Sequence, residues 1–484
     1  MAIGIQTKSS LSKSAKIRAQ LKHPVIDSDG HTVEFQPALH DYIAKVGGQK
    51  LADRYRSEGA NWYKMTPEQR QTDRPLRPPF WALPTKNTLD RATGTFPKLQ
   101  YERLDETGID FAVLYPSAGL GAPHIRDEEL RRATCRAFNT FHADVFRDYA
   151  DRLTPAAVIP MHTPKEAIDE LEYAVKTLGL KVIMMAGHVR RPIHSATESA
   201  NPSRQAYWMD LLALDSEYDY DPVWAKCMEL GVAPSFHSAG MGWGSRTSPS
   251  NYMFNHIGHF AAAGEAVCKA LFFGGVTRRF PKLKFAFLEC GVGWAANLYT
   301  DLIGHWAKRN RNGMDNYNPA NLNREMFFDL ARRYGGKLVE SKLDQLGQGW
   351  GLNGTKEDPA TLDDWWRCGI EKPEDIRKQF VPNFYFGCEA DDPINALAFD
   401  PKKLPLNARL NAIFSSDMGH WDVPDMREVT EEAYEMVEHG QISEVDFRDF
   451  VFANPAHLWA GMNPNFFKGT RVEDAVSKIS TNNA

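Results

Sequence analysis

Eight short runs of β-branched, aromatic or small apolar residues bounded by turn residues constrain this chain more than any other feature: 25–29, 110–115, 156–161, 181–185, 232–237, 284–289, 383–388 and 412–417. Helical patterns separate most of them, for example 127–149 and 222–230. One unit reads in full. Thr163, Pro164 and Glu166 supply a capping hydroxyl, a proline at the first helical position and a glutamate at the third; Ile168, Leu171, Val175 and Leu178 follow on one face, and Gly179 ends the helix. The runs on either side, 156–159 and 182–185, are continuously apolar, as strands buried on both faces must be. Eight such strands with helices between them predict an α/β fold, a (β/α)8 barrel, with an open doubly wound sheet as the other arrangement.

Two connections are far longer than ordinary loops, so insertions are expected after the first and sixth strands, at about 32–105 and 295–380. Both are rich in aromatic and turn residues: Trp62, Pro75, Pro78, Pro79, Phe80 and Trp81 in the first, Trp350, Gly351, Trp365 and Trp366 in the second. They are expected to form a cap or a subunit interface. The barrel itself is assigned to 23–466, flanked by an N-terminal arm (1–22) and a C-terminal tail (467–484).

Composition narrows the chemistry. The 484 residues are 43% hydrophobic and 25% charged, enough for a large core, and the net charge of −5 argues against a partner held by phosphate neutralisation. Six cysteines without a C-x-x-C pair fit reduced thiols. No run nears the ~20 apolar residues of a membrane helix, and the Ser/Lys-rich start lacks a signal-peptide core. A single arginine there, Arg18, makes a transit peptide a poor reading. The expectation is a soluble cytoplasmic protein acting on a small molecule, without nucleic acid or membrane; homodimerisation is the default for such a chain.

A barrel presents its active site at the C-terminal ends of its strands, and five strands here end in metal-ligand chemistry. The first runs into Asp27, Ser28, Asp29, Gly30 and His31, the fifth ends in His237, the sixth in Glu289 and the eighth in Asp417. The seventh adds Cys388 and Glu389, with Asp391 and Asp392 beyond. If the first strand continues, alternation points Asp29 and His31 the same way; Asp27 then falls to a structural role in the turn. Asp29, His31, His237 and Asp417 are the expected metal ligands. Glu289 either ligates, bridging two ions, or acts as general base. Three carboxylates against two imidazoles favour iron or manganese over zinc, with one or two ions.

Further histidines form a second tier: His188 after the fourth strand, His420 past Asp417, and His256 and His259, whose i, i+3 spacing would place them on one helical face. His256 is the candidate acid or second-metal ligand. Trp243 and Trp294, each in a glycine-rich turn, are candidate substrate walls, with His188 and Arg246 as polar contacts. Arg190, Arg191, Arg278 and Arg279 are weaker candidates for an anionic tail.

The order Asp-x-His on strand one, His on strand five and Asp on strand eight resembles the amidohydrolase superfamily, in the branch that also holds aminocarboxymuconate-semialdehyde and resorcylate-type decarboxylases. The likeness runs from residue 25 to about 466. It includes Ile159-Pro160-Met161, the stretch from Arg279 to Lys284, and Phe452-Ala453-Asn454-Pro455. Asp29 stands where the superfamily often has the first His of a His-x-His pair. Two departures matter: Glu289 takes the place of the His that decarboxylases of the branch carry after strand six, and strand four offers no lysine for a carboxylated bridge, Lys181 lying at its wrong end. The resemblance therefore implies a metal-dependent hydrolase that turns activated water on an ester, thioester or amide carbonyl. One specific version is a di-iron thioesterase similar to those of diterpenoid biosynthesis. The rivals are a non-oxidative decarboxylase of an aromatic or unsaturated acid, and a non-catalytic metal-binding scaffold.

Overall fold

The computed structural model describes residues 11–57, 61–79, 85–193, 207–237, 247–348, 358 and 360–481. Ten strands follow one another there: β1 (Ile26–Thr32), β2 (Phe111–Pro116), β3 (Leu153–Ile159), β4 (Val182–Met185), β5 (Val189–Pro192), β6 (Tyr207–Asp210), β7 (Pro234–Phe236), β8 (Phe285–Phe287), β9 (Phe384–Glu389) and β10 (Asn411–Ser415). Eight of them form one parallel sheet in the order β1-β2-β3-β4-β7-β8-β9-β10. The other two, β5 and β6, make an antiparallel hairpin beyond β4. The fold is the expected (β/α)8 barrel. All eight predicted runs are barrel strands, although several are shorter: β8 stops at Phe287, so Glu289 stands two residues past its end.

The barrel closes between its first and last strands through backbone bonds at the mouth. The Asp417 N–H donates to the Asp29 carbonyl (3.0 Å), and the His31 N–H donates to the Met418 carbonyl (2.9 Å). Asp27 fastens the same seam. Its carboxylate accepts from the Ser416 N–H (3.0 Å), the Ser416 hydroxyl (2.6 Å) and the Asp29 N–H (3.1 Å), which makes the expected structural role concrete. β1 is irregular between Asp27 and Gly30, where its register against β2 shifts. A Cβ on Gly30 would lie 2.7 Å from the Asp27 carboxylate, so the bulge and the buried acid depend on a glycine there.

The helices form as their caps dictate. Thr163 caps Pro164–Glu172, accepting from the Glu166 N–H while Glu166 reaches back to the Thr163 N–H (both 3.2 Å). Glu166 also pairs with Arg131 of the helix Glu128–Phe146 in a buried contact of 2.8 Å. The N-terminal arm contributes a helix, Lys13–Gln20, which docks through Arg18 on Asp110 (3.1 Å) and through the Ser14 hydroxyl on the Glu431 N–H (3.0 Å). The tail packs as well: Phe467 stands edge-on to Phe111, and Val472 and Val476 are buried.

The two insertions behave differently. The first lies against loops of the barrel mouth. The Trp62 indole N–H donates to the Pro249 carbonyl (3.1 Å), the Arg77 N–H donates to the Ser248 carbonyl (3.1 Å) while the Arg77 carbonyl accepts from the Asn255 side-chain amide (3.3 Å), and the Met426 N–H donates to Asp90 (2.7 Å). In the second, Trp365 is buried against Phe273, but residues 313–345 include no buried residue. Among the described residues no helix is long and apolar enough to cross a membrane, and all six cysteines are free and buried.

Candidate active site

The closing seam and the ends of β7 and β8 bring the predicted ligands together. Asp29 and His31 share β1, His237 follows β7, Glu289 follows β8 and Asp417 follows β10. Their side chains converge on a point below the mouth. His31 Nε2 and His237 Nε2 are 3.1 Å apart; Asp29 Oδ1 is 3.6 Å from each. Glu289 Oε2 lies 3.2 Å from His237 Nε2 and 4.0 Å from His31 Nε2, and Asp417 Oδ1 is 3.3 Å from His31 Nε2.

These carboxylates are buried without the partners that buried charge requires. Among the described residues both oxygens of Asp29 and Oε2 of Glu289 receive no hydrogen bond, and Asp417 faces the His420 imidazole and the Asp422 carboxyl. Among the described residues no lysine or arginine pairs with any of the three; Glu289 stands beside the His237 imidazole instead. Burial drives the carboxyls of Asp29, Glu289 and Asp417 well above the usual carboxylate range, and holds the His31 and His237 imidazoles neutral by lowering their affinity for protons. Several acids crowded round neutral imidazole nitrogens, with no cation beside them, fit a divalent metal ion, whose charge would reverse that logic.

A second group adjoins the first. Ligand atoms of His256, Glu289 and Asp422 lie within 4.8 Å of one another, as do those of His31, Glu289, Asp417 and His420, and those of Asp29, His31 and His237. Glu289 therefore belongs to two groups. His420 is held in place: its ring stacks on His31 with centroids 3.7 Å apart, Nδ1 is 2.7 Å from Asp417 Oδ1, and Nε2 is 3.2 Å from the Ser117 hydroxyl. A cavity of about 360 Å³ opens beside Glu289, lined by His256, Phe260, Glu389, Trp421 and Asp422 among others. Burial beside Glu289 pushes the Glu389 carboxyl up to about 8.

Other predicted positions fall elsewhere. His256 ends a short helix, Tyr252–His256, and His259 begins the next, His259–Phe273, because Gly258 turns the chain with φ 70° between them. The two do not share one helix, although their rings stand 5.0 Å apart. Trp294 packs edge-on against Phe287 and Phe386, and it is not among the cavity's lining residues. His188 is buried beside His124, ring centroids 4.9 Å apart, in the loops after β4 and β2. Trp243 and Arg246 lie outside the described residues. Sequence reasoning missed Asp422 and Ser117. The available signal for Asp422 was its place in one loop with Asp417 and His420, all past the same strand.

A barrel that gathers imidazoles and unpaired carboxylates at the C-terminal ends of its strands defines a divalent-metal-dependent enzyme. The chain belongs to the amidohydrolase family, whose sequence profile matches residues 26–311. Among solved structures it is similar to the amidohydrolase map2389c of Mycobacterium avium subsp. paratuberculosis K-10, with 17% identity and a TM-score of 0.50, covering 91% of this chain and 100% of that one. It is also similar to a dihydroxybenzoic acid decarboxylase of Polaromonas sp. JS666 solved with manganese and 2-nitroresorcinol (17% identity, TM-score 0.46, 90% and 97% covered). A third is the 4-oxalomesaconate hydratase of Rhodopseudomonas palustris (15% identity, TM-score 0.42, 95% and 99% covered).

Proposed function

We propose that this enzyme is a hydrolase that turns water on the carbonyl carbon of a thioester, ester or amide of an organic acid, with Glu289 shared between two cation positions. The observation that carries this reading is the membership of Glu289 in both the His31–Asp417–His420 group and the His256–Asp422 group. Asp29, His31, His237 and Asp417 would hold one ion; His256 and Asp422 would hold the other, with Glu289, near both His237 and Asp422, between them. A bound divalent cation lowers the pKa of water towards neutrality and polarises a carbonyl oxygen. The carboxylate-rich set favours iron or manganese.

The protein's own residues manage the proton. Asp417 would take it from the attacking water, and His420, whose Nδ1 lies 2.7 Å from Asp417 Oδ1 and whose Nε2 lies 3.2 Å from the Ser117 hydroxyl, would position that carboxylate. Phe260 and Trp421 give the adjoining cavity an apolar wall for the acyl part of a substrate.

Metal content of protein purified without added metal, combined with hydrolysis assays on acyl thioesters, esters and amides, tests the reading. Two equivalents of iron or manganese per chain, falling to one in Asp422→Asn, with hydrolysis lost in Glu289→Ala, are expected. One equivalent unchanged by Asp422→Asn overturns the shared-carboxylate arrangement. Carbon dioxide release from aromatic acids without hydrolysis overturns the hydrolase reading in favour of a decarboxylase.

A further inference from the structure

The insertion between β8 and β9 carries a surface that the described residues leave uncovered. In the helix Arg324–Tyr334 no residue is buried, nor is any in the following helix Gly336–Glu340. Met326, Leu330 and Tyr334 recur at i, i+4 and i+8 and so form one stripe, with Phe327 beside it and Leu338 continuing it. Tyr334 and Leu338 are each 74% exposed, Met326 59% and Leu330 42%. An 11-residue helix is marginal in water by itself and draws its stability from packing an apolar face. A contiguous apolar patch of this kind marks an interaction surface.

We propose that this helix pairs antiparallel with the same helix of a second copy of the chain, about a two-fold axis passing near Leu330. The charges bordering the stripe select that occupant. Asp329 and Arg333 are one turn apart on the same flank, acid towards the N-terminus and base towards the C-terminus, and both are largely exposed with 3.5 Å between them. Antiparallel self-pairing keeps that flank facing itself and brings Asp329 of each copy near Arg333 of the other, whereas parallel pairing sets it against the opposite flank, where Phe327 and Ala331 offer no charge. Met326 and Phe327 of one copy then meet Tyr334 of the other, and Leu330 meets Leu330. A membrane surface is a poorer fit, because interfacial helices carry a strong excess of Lys and Arg on their polar face, and here Arg324, Arg332 and Arg333 stand against Glu325 and Asp329, an excess of one. The exposed stripe offers on the order of 500 Å² per copy, and two copies reach the ~1,000 Å² at which specific interfaces begin.

Sedimentation velocity on the metal-loaded, full-length protein tests this. The wild type is expected to be a dimer. Leu330→Glu combined with Tyr334→Glu should be a monomer with unchanged circular dichroism and metal content, since neither side chain is buried. Asp329→Arg and Arg333→Asp should each weaken the dimer at least about tenfold, and an equimolar mixture of the two should restore it as a heterodimer. A wild type that stays monomeric, a dimer untouched by the double glutamate variant, or a mixture that fails to recover each overturns the proposal.

Discussion

Glu289 and Asp417 occupy equivalent positions on different strands: each is the second residue past its strand's last, and each has a left-handed backbone, with φ of 53° and 49°. An L-residue with a Cβ pays roughly 1–2 kcal/mol in that region, and such strain persists only where the surroundings enforce it. Both turns aim a carboxylate into the same buried cluster.

That strain is measurable. In metal-free protein Glu289→Gly is expected to be more stable than Glu289→Ala by about 1 kcal/mol in urea unfolding, because only glycine adopts the turn freely. Equal stability would show that the turn relaxes.

The buried acids give the metal-free protein an unusual pH dependence. Burial raises the Asp27 carboxyl to about 6 and that of Glu389 to about 8, above their ordinary values of 3.8 and 4.5. A folded-state pKa raised above the unfolded one gives stability that is full at low pH and is lost as pH rises through the folded value. Metal-free protein should therefore lose on the order of 5 kcal/mol between about pH 4 and pH 8. Metal-loaded protein should not, since a cation favours the ionised carboxylates, and metal uptake should release protons. Thermal unfolding with and without chelator, and calorimetric metal titration in two buffers of different ionisation enthalpy, check both statements.

The seam offers a stability test separate from catalysis. Asp27→Ala leaves the buried Ser416 N–H and hydroxyl without their acceptor and is expected to cost about 2–3 kcal/mol. Gly30→Ala sets a methyl against the Asp27 carboxylate and the Leu114 side chain and should cost a similar amount, about 1–3 kcal/mol. Denaturant melts of both read the result.

Proton handling by Asp417 predicts a kinetic signature at His420. His420→Ala should lower kcat about 10²-fold or more with KM little changed, since His420 orients the base and does not bind the acyl group. A KM effect alone would reassign it to substrate contact.

Much of this arrangement was legible one residue at a time. The strands announced themselves because a barrel buries both faces of its sheet, so Phe285–Phe287 and Val182–Met185 read as unbroken apolar runs. His237, Glu289 and Asp417 stood out because polar residues just past such runs must sit at the mouth, and Asp29 and His31 because they alternate at the end of the first strand. The helical pairing of His256 with His259 failed because a left-handed glycine, which periodicity does not weigh, divides the helix.

The sequence by itself thus determined the strand inventory, the insertions and the chemical types at the mouth, since burial periodicity and strand-end position are local properties. Only the tertiary structure decided that the barrel closes through Asp29, His31 and Asp417, that Glu289 faces both His237 and Asp422, and that the helix Arg324–Tyr334 finds no cover among the described residues. Each of these joins residues that lie far apart along the chain or measures burial against the whole molecule, and no local pattern encodes a distance across the barrel.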